Sequence, residues 1–322
     1  MDYKKHYSVF YRECIDTFKE VTSTFESPLF ADMTFGAGGH SLGIITEIAN
    51  SKIVSVDQDP DAIKNGRQRI ESEGFSERAE LLKMNFESFP AWARENNKKF
   101  AGILMDLGVS SHQFDATERG FSFRGEAKLD MRMAYDEDQP SAYDIINEYD
   151  EEDIANIIYQ YGEDRLSRRI AAAIVTARLE KPIETTKELE NIIFHCYPKA
   201  QRFGKTHPAT RTFQALRIYV NRELEVLENT LKELFDLLEI GGRLAVISFH
   251  SLEDRIVKHQ FKEIVQNNKN FARILTKKPI VPTQEELDEN SRSRSAKLRI
   301  IEKIEITTEG KNYGHKKKKN PN

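Results

Sequence analysis

The chain has 322 residues, of which 31% are charged and 39% hydrophobic, and its formal net charge is −4. That length suits about two domains with a buried core, and the apolar content excludes a disordered chain. No apolar run approaches the ~20 residues of a membrane helix. The stretch Met1 to Phe10 lacks the apolar core of a secretion signal. The only cysteines, Cys14 and Cys196, allow neither a disulfide framework nor a Cys-rich zinc site. A soluble, cytoplasmic protein is expected.

In chain order, β-rich runs alternate with helical patterns. Strands are predicted at Leu29–Thr34, Lys52–Asp57, Ala79–Met84, Gly102–Asp106 and Arg243–Ser248. Strands separated by helices give a parallel sheet with crossovers, which binds ligands at the carboxyl ends of its strands. Between the fourth and fifth strands lie 136 residues, far too many for a loop. Ile154, Ile157, Ile158 and Tyr161 recur at helical spacing, as do Leu166, Ile170, Ala173, Ile174 and Ala177. The expected organisation is a core of residues 1–113, a helical insertion at 114–205, a second core segment at 206–310 and a basic tail at 311–322. From Phe213 to Leu238 the apolar spacing predicts one long crossover helix, ended by Gly241-Gly242. Phe271–Ile280 and Ala296–Ile306 are expected to close the sheet as an antiparallel pair.

The charges are segregated. Ala134 to Asp153 holds nine acids and no Lys or Arg; Cys196 to Arg222 holds six bases and no acid; Ser291 to Asn322 has a net charge of +7. Most such blocks are solvated faces, but the aromatic residues among the bases favour a surface for phosphates. The small net charge therefore does not exclude a nucleic-acid partner.

The first strand runs into Asp32-Met33-Thr34-Phe35-Gly36-Ala37-Gly38-Gly39-His40-Ser41. Glycines at a strand-to-helix turn let the backbone approach a ligand. The last position of the G-x-G-x-x-G pattern holds Ser41, so the pyrophosphate fingerprint is incomplete. Asp57 ends the second strand, 18 residues after Gly39, where an acid can accept both hydrogen bonds of a ribose diol. Phe86 follows the third strand and Asp106 ends the fourth. Together these acids indicate a nucleoside pocket. The incomplete fingerprint favours S-adenosylmethionine over a dinucleotide, with a nicotinamide oxidoreductase as the competing reading.

Several segments carry a resemblance to the bacterial ribosomal RNA small subunit methyltransferase H (MraW) family. They include Thr34–Ser41, Asp57-Gln58-Asp59-Pro60, Asp106–Ser111, Glu118–Phe123, Leu129–Met133 and Tyr161–Arg165. Further on are His207–Ile218, Gly241–Lys258 and Arg294–Arg299. Departures are His112, where the family usually has Pro, and Ala37, where Arg is frequent. The resemblance implies an α/β fold: a class I S-adenosylmethionine-dependent methyltransferase (Rossmann-like) core with an inserted helical domain. It implies methylation of the exocyclic N4 of a cytidine in the decoding centre of 16S rRNA. Carried over by position, the cofactor contacts fall on Gly38, Gly39, His40, Asp57, Phe86, Asp106 and Gln113.

Asp106 also stands where an acceptor for the amino-group proton belongs, so it either assists catalysis or only binds cofactor. Cytosine C5 chemistry would need a cysteine nucleophile, and neither cysteine follows a sheet strand. Arg119, Arg211 and Arg217 are candidate RNA contacts, with ion pairing inside the protein as the alternative. His250 and Arg255 follow the fifth strand. There Ser251 and Asp254 resemble a capping box, so capping and substrate contact both remain open. No metal site is expected.

Overall fold

The computed structural model describes residues 8–108, 119–134, 139–204, 206–268 and 271–305. Gln113 and the basic tail 311–322 lie outside the described residues. Among the described residues, seven strands form one sheet: β1 (Leu29–Asp32), β2 (Lys52–Asp57), β3 (Ala79–Lys83), β4 (Phe100–Asp106), β5 (Leu238–Ser248), β6 (Ala272–Ile274) and β7 (Lys297–Lys303). Their order is β3-β2-β1-β4-β5-β7-β6. Strands β1 to β5 pair in parallel, and β7 runs antiparallel between β5 and β6. The closing antiparallel pair is therefore present, although β6 is shorter than its sequence pattern.

Alternation along the strands explains why both sheet faces are covered. Ile103 and Met105 of β4, with Leu244 and Val246 of β5, pack under helices on one face. Their neighbours Leu104, Ala245 and Ile247 pack with Phe18, Ile44 and Ile45 on the other. A strand with both faces buried reads as a continuous apolar run, as Gly102–Met105 does. The architecture is that of a class I methyltransferase: α1 (Tyr11–Val21) precedes the sheet, and α2 (Gly39–Glu47), α3 (Pro60–Ser72) and α4 (Phe89–Glu95) cross over between the strands of the first half.

The glycine pair expected to end the crossover helix does something else. Strand β5 already begins at Leu238, and its pairing with β4 shifts register between Phe100 and Gly102. Gly241 has φ 87°, and a Cβ on Gly242 would lie 2.9 Å from the carbonyl oxygen of Phe100. The glycines permit a bulge inside the strand.

The helical unit comprises α5 (Ala142–Glu148), α6 (Glu151–Gly162), α7 (Ser167–Arg178), α8 (Thr186–Cys196), α9 (Lys199–Arg202) and α10 (Ala209–Val220). Ile145, Ile158, Ile170, Leu189, Phe213 and Leu216 belong to its own core. Helix α10 packs in this core through Phe213 and Leu216. The predicted long helix is two helices, because Arg222 adopts a left-handed conformation (φ 50°) before α11 (Glu223–Asp236) begins. The apolar spacing continues across this break, so periodicity alone does not reveal it. Asn221 fastens the joint: its side chain accepts the amide of Met133 and donates to the carbonyls of Met131 and Arg217, each at 2.8 Å.

Arg119 is a second fastener, paired inside the protein. It is 6% exposed, ion-pairs with the buried Asp59, and donates to the carbonyls of Arg132 (3.0 Å) and Met133 (2.7 Å). Asp59 also caps α3, accepting the amide of Asp61. A buried carboxylate left without its cation is strongly destabilising. Arg119→Ala is expected to cost about 3–5 kcal/mol in denaturant unfolding. Arg211→Ala, at an exposed position, should change stability by less than ~0.5 kcal/mol.

Candidate cofactor and substrate site

The carboxyl ends of β1, β2 and β4 meet at one buried hydrogen-bond network. Asp32 ends β1, and its carboxylate accepts the amide of Thr34 (3.0 Å) and the hydroxyl of Ser41 (2.5 Å). Ser41 also lies 2.9 Å from the hydroxyl of Ser55 on β2. Thr34 in turn accepts the amide of Asp106 at 2.7 Å. The residue that makes the glycine fingerprint incomplete thus links two strands and α2. Burial raises the pKa of Asp32, and the Ser41 hydroxyl, nearby His40 and the Thr34 amide offset part of that rise.

Between Thr34 and α2 the chain turns through Gly36 (φ 52°) and Gly38 (φ 80°). The Gly36 amide donates to Asp57 at 2.8 Å, and the Asp59 amide donates to the other carboxylate oxygen at 2.9 Å. Burial pushes the Asp57 pKa up to about 6 despite these two bonds, with the Asp59 and Asp32 charges adding to the rise. Each Asp57 oxygen accepts one bond and has a second lone pair to offer.

A cavity of about 1320 Å³ opens over these strand ends. Gly36, Gly39, His40, Asp57, Phe86 and Asp106 line it. Gly38 supports the turn from behind, where a Cβ would lie 2.6 Å from the Phe35 ring. His40 is buried, stacks on Tyr11 (centroids 6.3 Å apart) and has Nε2 3.6 Å from Asp106 Oδ2. Burial opposes a charge on His40, but attraction to Asp106 and Asp32 outweighs it and lifts its pKa above the ordinary value. Both ring nitrogens and Asp106 Oδ1 are buried without a hydrogen-bond partner. Buried polar atoms normally have partners. Three orphans beside a cavity fit a polar ligand, and Asp57 adds acceptors suited to a diol.

The same cavity extends to the helical unit, where Asn221, Arg217, Glu223, Phe249 and Glu253 line it. Arg217 donates Nε and Nη2 to the two oxygens of Glu223, both at 2.8 Å. His250 caps α12 (Ser251–Asn267): its Nδ1 accepts the amide of Glu253 at 3.3 Å, and Glu253 accepts the amides of Phe249 (2.7 Å) and His250 (3.2 Å). The capping box thus pairs His250 with Glu253, rather than Ser251 with Asp254. Ser251 instead donates to Glu163 (2.6 Å), and Asp254 accepts from Lys297 and Arg299.

Single atoms of Glu223, His250 and Glu253 lie within 4.8 Å of one another, a spacing that could hold a cation. His250 Nδ1 already accepts a backbone amide, so its proton is on Nε2, and Arg217 supplies the positive charge. This donor set therefore suits Arg217 better than a metal ion. Arg211 and Arg255 are exposed and converge on Glu163, at its carbonyl (3.2 Å) and its carboxylate (2.9 Å) respectively. Both cysteines are buried and neither lines the cavity.

The residues 3–304 match the MraW methylase family. The chain belongs to that family. It is a class I methyltransferase, and its methyl donor is S-adenosylmethionine. The chain is 46% identical over 301 residues to ribosomal RNA small subunit methyltransferase H of Sulfurihydrogenibium sp., covering 93% of this chain and 99% of that one. It is 47% identical over 275 residues to the protein of that name in Synechococcus elongatus, covering 85% and 88%. A solved rRNA methylase from Streptococcus thermophilus resembles it distantly, at 12% identity and a TM-score of 0.44 over 93% of this chain and 99% of that one. No helix among the described residues is long and apolar enough to cross a membrane.

Sequence reasoning missed Glu223, Glu253 and Asn221. Nothing local in the sequence marks a polar side chain that faces a cavity.

A diol hydrogen-bonds best to an ionised Asp57. With its pKa near 6, this carboxyl favours the folded state most when protonated, and that contribution falls as pH rises from about 4 to 6. Cofactor binding runs the other way. S-adenosylhomocysteine affinity, measured by calorimetry, should be level above about pH 7. It should fall toward tenfold per unit below pH 6, with proton release on binding. Asp57→Asn should bind more weakly at pH 7.5 and lose that dependence, which separates it from any titration of His40. An unchanged pH profile in the variant would remove Asp57 from the contact set.

Proposed function

We propose that this protein methylates the exocyclic N4 of a cytidine in the decoding centre of 16S rRNA, within the small ribosomal subunit. The relatives named above are ribosomal RNA small subunit methyltransferases, and the cavity's chemistry suits such a reaction. The observation that carries the reading is one continuous cavity with a nucleoside-type lining at the β1, β2 and β4 ends. An acid-lined extension of it lies at the end of β5.

Gly38, Gly39, His40, Asp57, Phe86 and Asp106 form the proposed cofactor side. Phe86 is half-buried and presents a ring at the end of β3, suited to an adenine face. Gln113 belongs to this set by position in the family. Bound S-adenosylmethionine would supply an electrophilic methyl with its sulfur as leaving group, and the proton displaced from N4 would pass to Asp106 or to water. The protein's part is to hold the amino nitrogen in line and to stabilise the positive charge it acquires. Asp106, with an unpartnered Oδ1, is placed to accept a hydrogen bond on the cofactor side.

Arg211 and Arg255 remain the RNA-backbone candidates, because both are exposed and can exchange Glu163 for a phosphate. The nicotinamide reading loses its basis, since Ser41 is committed to Asp32 and Ser55.

Incubation with labelled cofactor and small subunits lacking the modification, followed by nuclease digestion, should yield N4-methylcytidine. Label in N3- or C5-methylcytidine, or none in RNA, overturns the reading. Arg211→Ala should weaken subunit binding several-fold and leave S-adenosylhomocysteine affinity unchanged. An equal loss of both would assign Arg211 a structural role.

A further inference from the structure

The same cavity holds a second cluster, apart from the glycine turn, Asp57 and Asp106. Glu223 is the first residue of α11, placed there by the left-handed Arg222. Its side chain is 12% exposed and is held by both donors of the Arg217 fork. A carboxylate gripped bidentately is fixed in orientation, and each oxygen keeps a lone pair. Glu253 lies behind it, and its pKa is lowered: burial works against ionisation, but His250 and Arg217 outweigh it. His250 Nδ1 accepts a backbone amide, and its Nε2 is buried without a well-aligned partner, 3.1 Å from Glu253. One arginine thus faces two carboxylates at a cavity wall.

The cluster is also in the right place. Asp106 pairs in register with Ile247, so the ends of β4 and β5 are adjacent. Just beyond them a Cβ on Gly108 would lie 3.5 Å from the Phe249 ring, and Gly108 and Phe249 both line the cavity. A flat group entering between cofactor side and cluster would meet that ring and present its edge to Glu223.

We propose that Glu223, held by Arg217, is the specificity-determining residue for the acceptor base, its carboxylate accepting a hydrogen bond from the exocyclic amino group of cytosine. This rests on the functional reading above and names the part of the site that enforces it. Cytosine offers an amino donor at C4, and Glu or Asp is the side chain that reads it. Uracil offers a carbonyl oxygen there, which would face the carboxylate as a second acceptor. The same negative charge favours the cation that forms on N4 during methylation, so the cluster both selects the base and assists its reaction. Glu253 and His250 act through Arg217 and Glu223 as positioning residues.

The test uses the full-length protein and small subunits lacking the modification. A matched set carries uridine in place of the cytidine that is methylated. Binding of both sets without cofactor, S-adenosylhomocysteine affinity by calorimetry, and single-turnover methyl transfer are compared for wild type and Glu223→Gln. Wild type should prefer the cytidine subunits by about tenfold or more. Glu223→Gln keeps the shape and an Arg217 contact but can turn its amide to either base. It should lose most of that preference, methylate about 100-fold more slowly, and bind S-adenosylhomocysteine within twofold of wild type. An unchanged preference and rate in Glu223→Gln overturn the proposal, as does a parallel loss of S-adenosylhomocysteine affinity. Arg217→Lys, which keeps the charge but loses the fork, should reduce the preference and the rate in the same direction; wild-type behaviour in it also counts against the proposal. Nucleoside analysis of the wild-type product tests the N4 reading separately, because the variant-to-wild-type ratios do not depend on which atom is labelled.

Discussion

The site depends on the buried carboxylate of Asp32. A lone carboxylate at a strand end, away from water, is costly. Asp32 meets that cost by collecting the Thr34 amide and the Ser41 hydroxyl. Those bonds set the rest. Ser41 fixes α2 against β2 through Ser55, and Thr34 takes the Asp106 amide and so ties β1 to the end of β4. The positions of the glycine turn, of Asp57 and of Asp106 all follow from that one group. Three acids close together would repel if each were solvated only by the others. Backbone amides from Thr34, Gly36 and Asp59 absorb much of the charge of Asp32 and Asp57, while Asp106 keeps an oxygen with no partner.

A second constraint lies at the joint between the two units. Arg222 breaks a helix that apolar spacing alone would continue, and Asn221 pins the break to the Met131–Met133 segment. The kink lets Arg217, at the end of one helix, grip Glu223, at the start of the next. A straight helix would place residues six apart on different faces. The left-handed residue therefore builds the acid-lined wall, and Arg119 secures the other side of the joint through Asp59.

These facts explain what the sequence made legible. Strand ends were readable where a buried apolar run stops at an acid, as β2 and β4 do at Asp57 and Asp106, and β2 coincides with its expected range. The helices between β4 and β5 were readable from their periodicity. The break at Arg222 was not, because the spacing of Val220 and Leu224 is helical whether or not Arg222 turns left-handed. Arginines were the least legible group. Arg119, Arg211 and Arg217 look alike in sequence, yet one is buried on Asp59, one is exposed, and one is forked on Glu223. A guanidinium's role is set by whichever carboxylate the fold brings to it, and Asp59 lies 60 residues from Arg119. For the same reason Glu223 carries no local mark, although it is the acid that ends the basic run Cys196–Arg222.

The charge pattern acquires a physical sense at the cavity. Its wall is acidic at Asp57, Asp106, Glu223 and Glu253, while exposed Arg124, Arg292 and Arg294 also contribute to its lining. An RNA strand cannot bring its phosphates to an acidic wall, but it can lay them on arginines and turn one base inward. The base that tolerates such a wall is one with a hydrogen-bond donor at its edge. On the proposed reading, segregating bases outside from acids inside would make entry selective before any chemistry occurs. The net charge of −4 is a poor guide, because acids and exposed arginines lie within one opening. Backbone affinity should then fall with salt according to the few phosphates engaged, while selection at the acid wall, shielded from bulk ions, should change little.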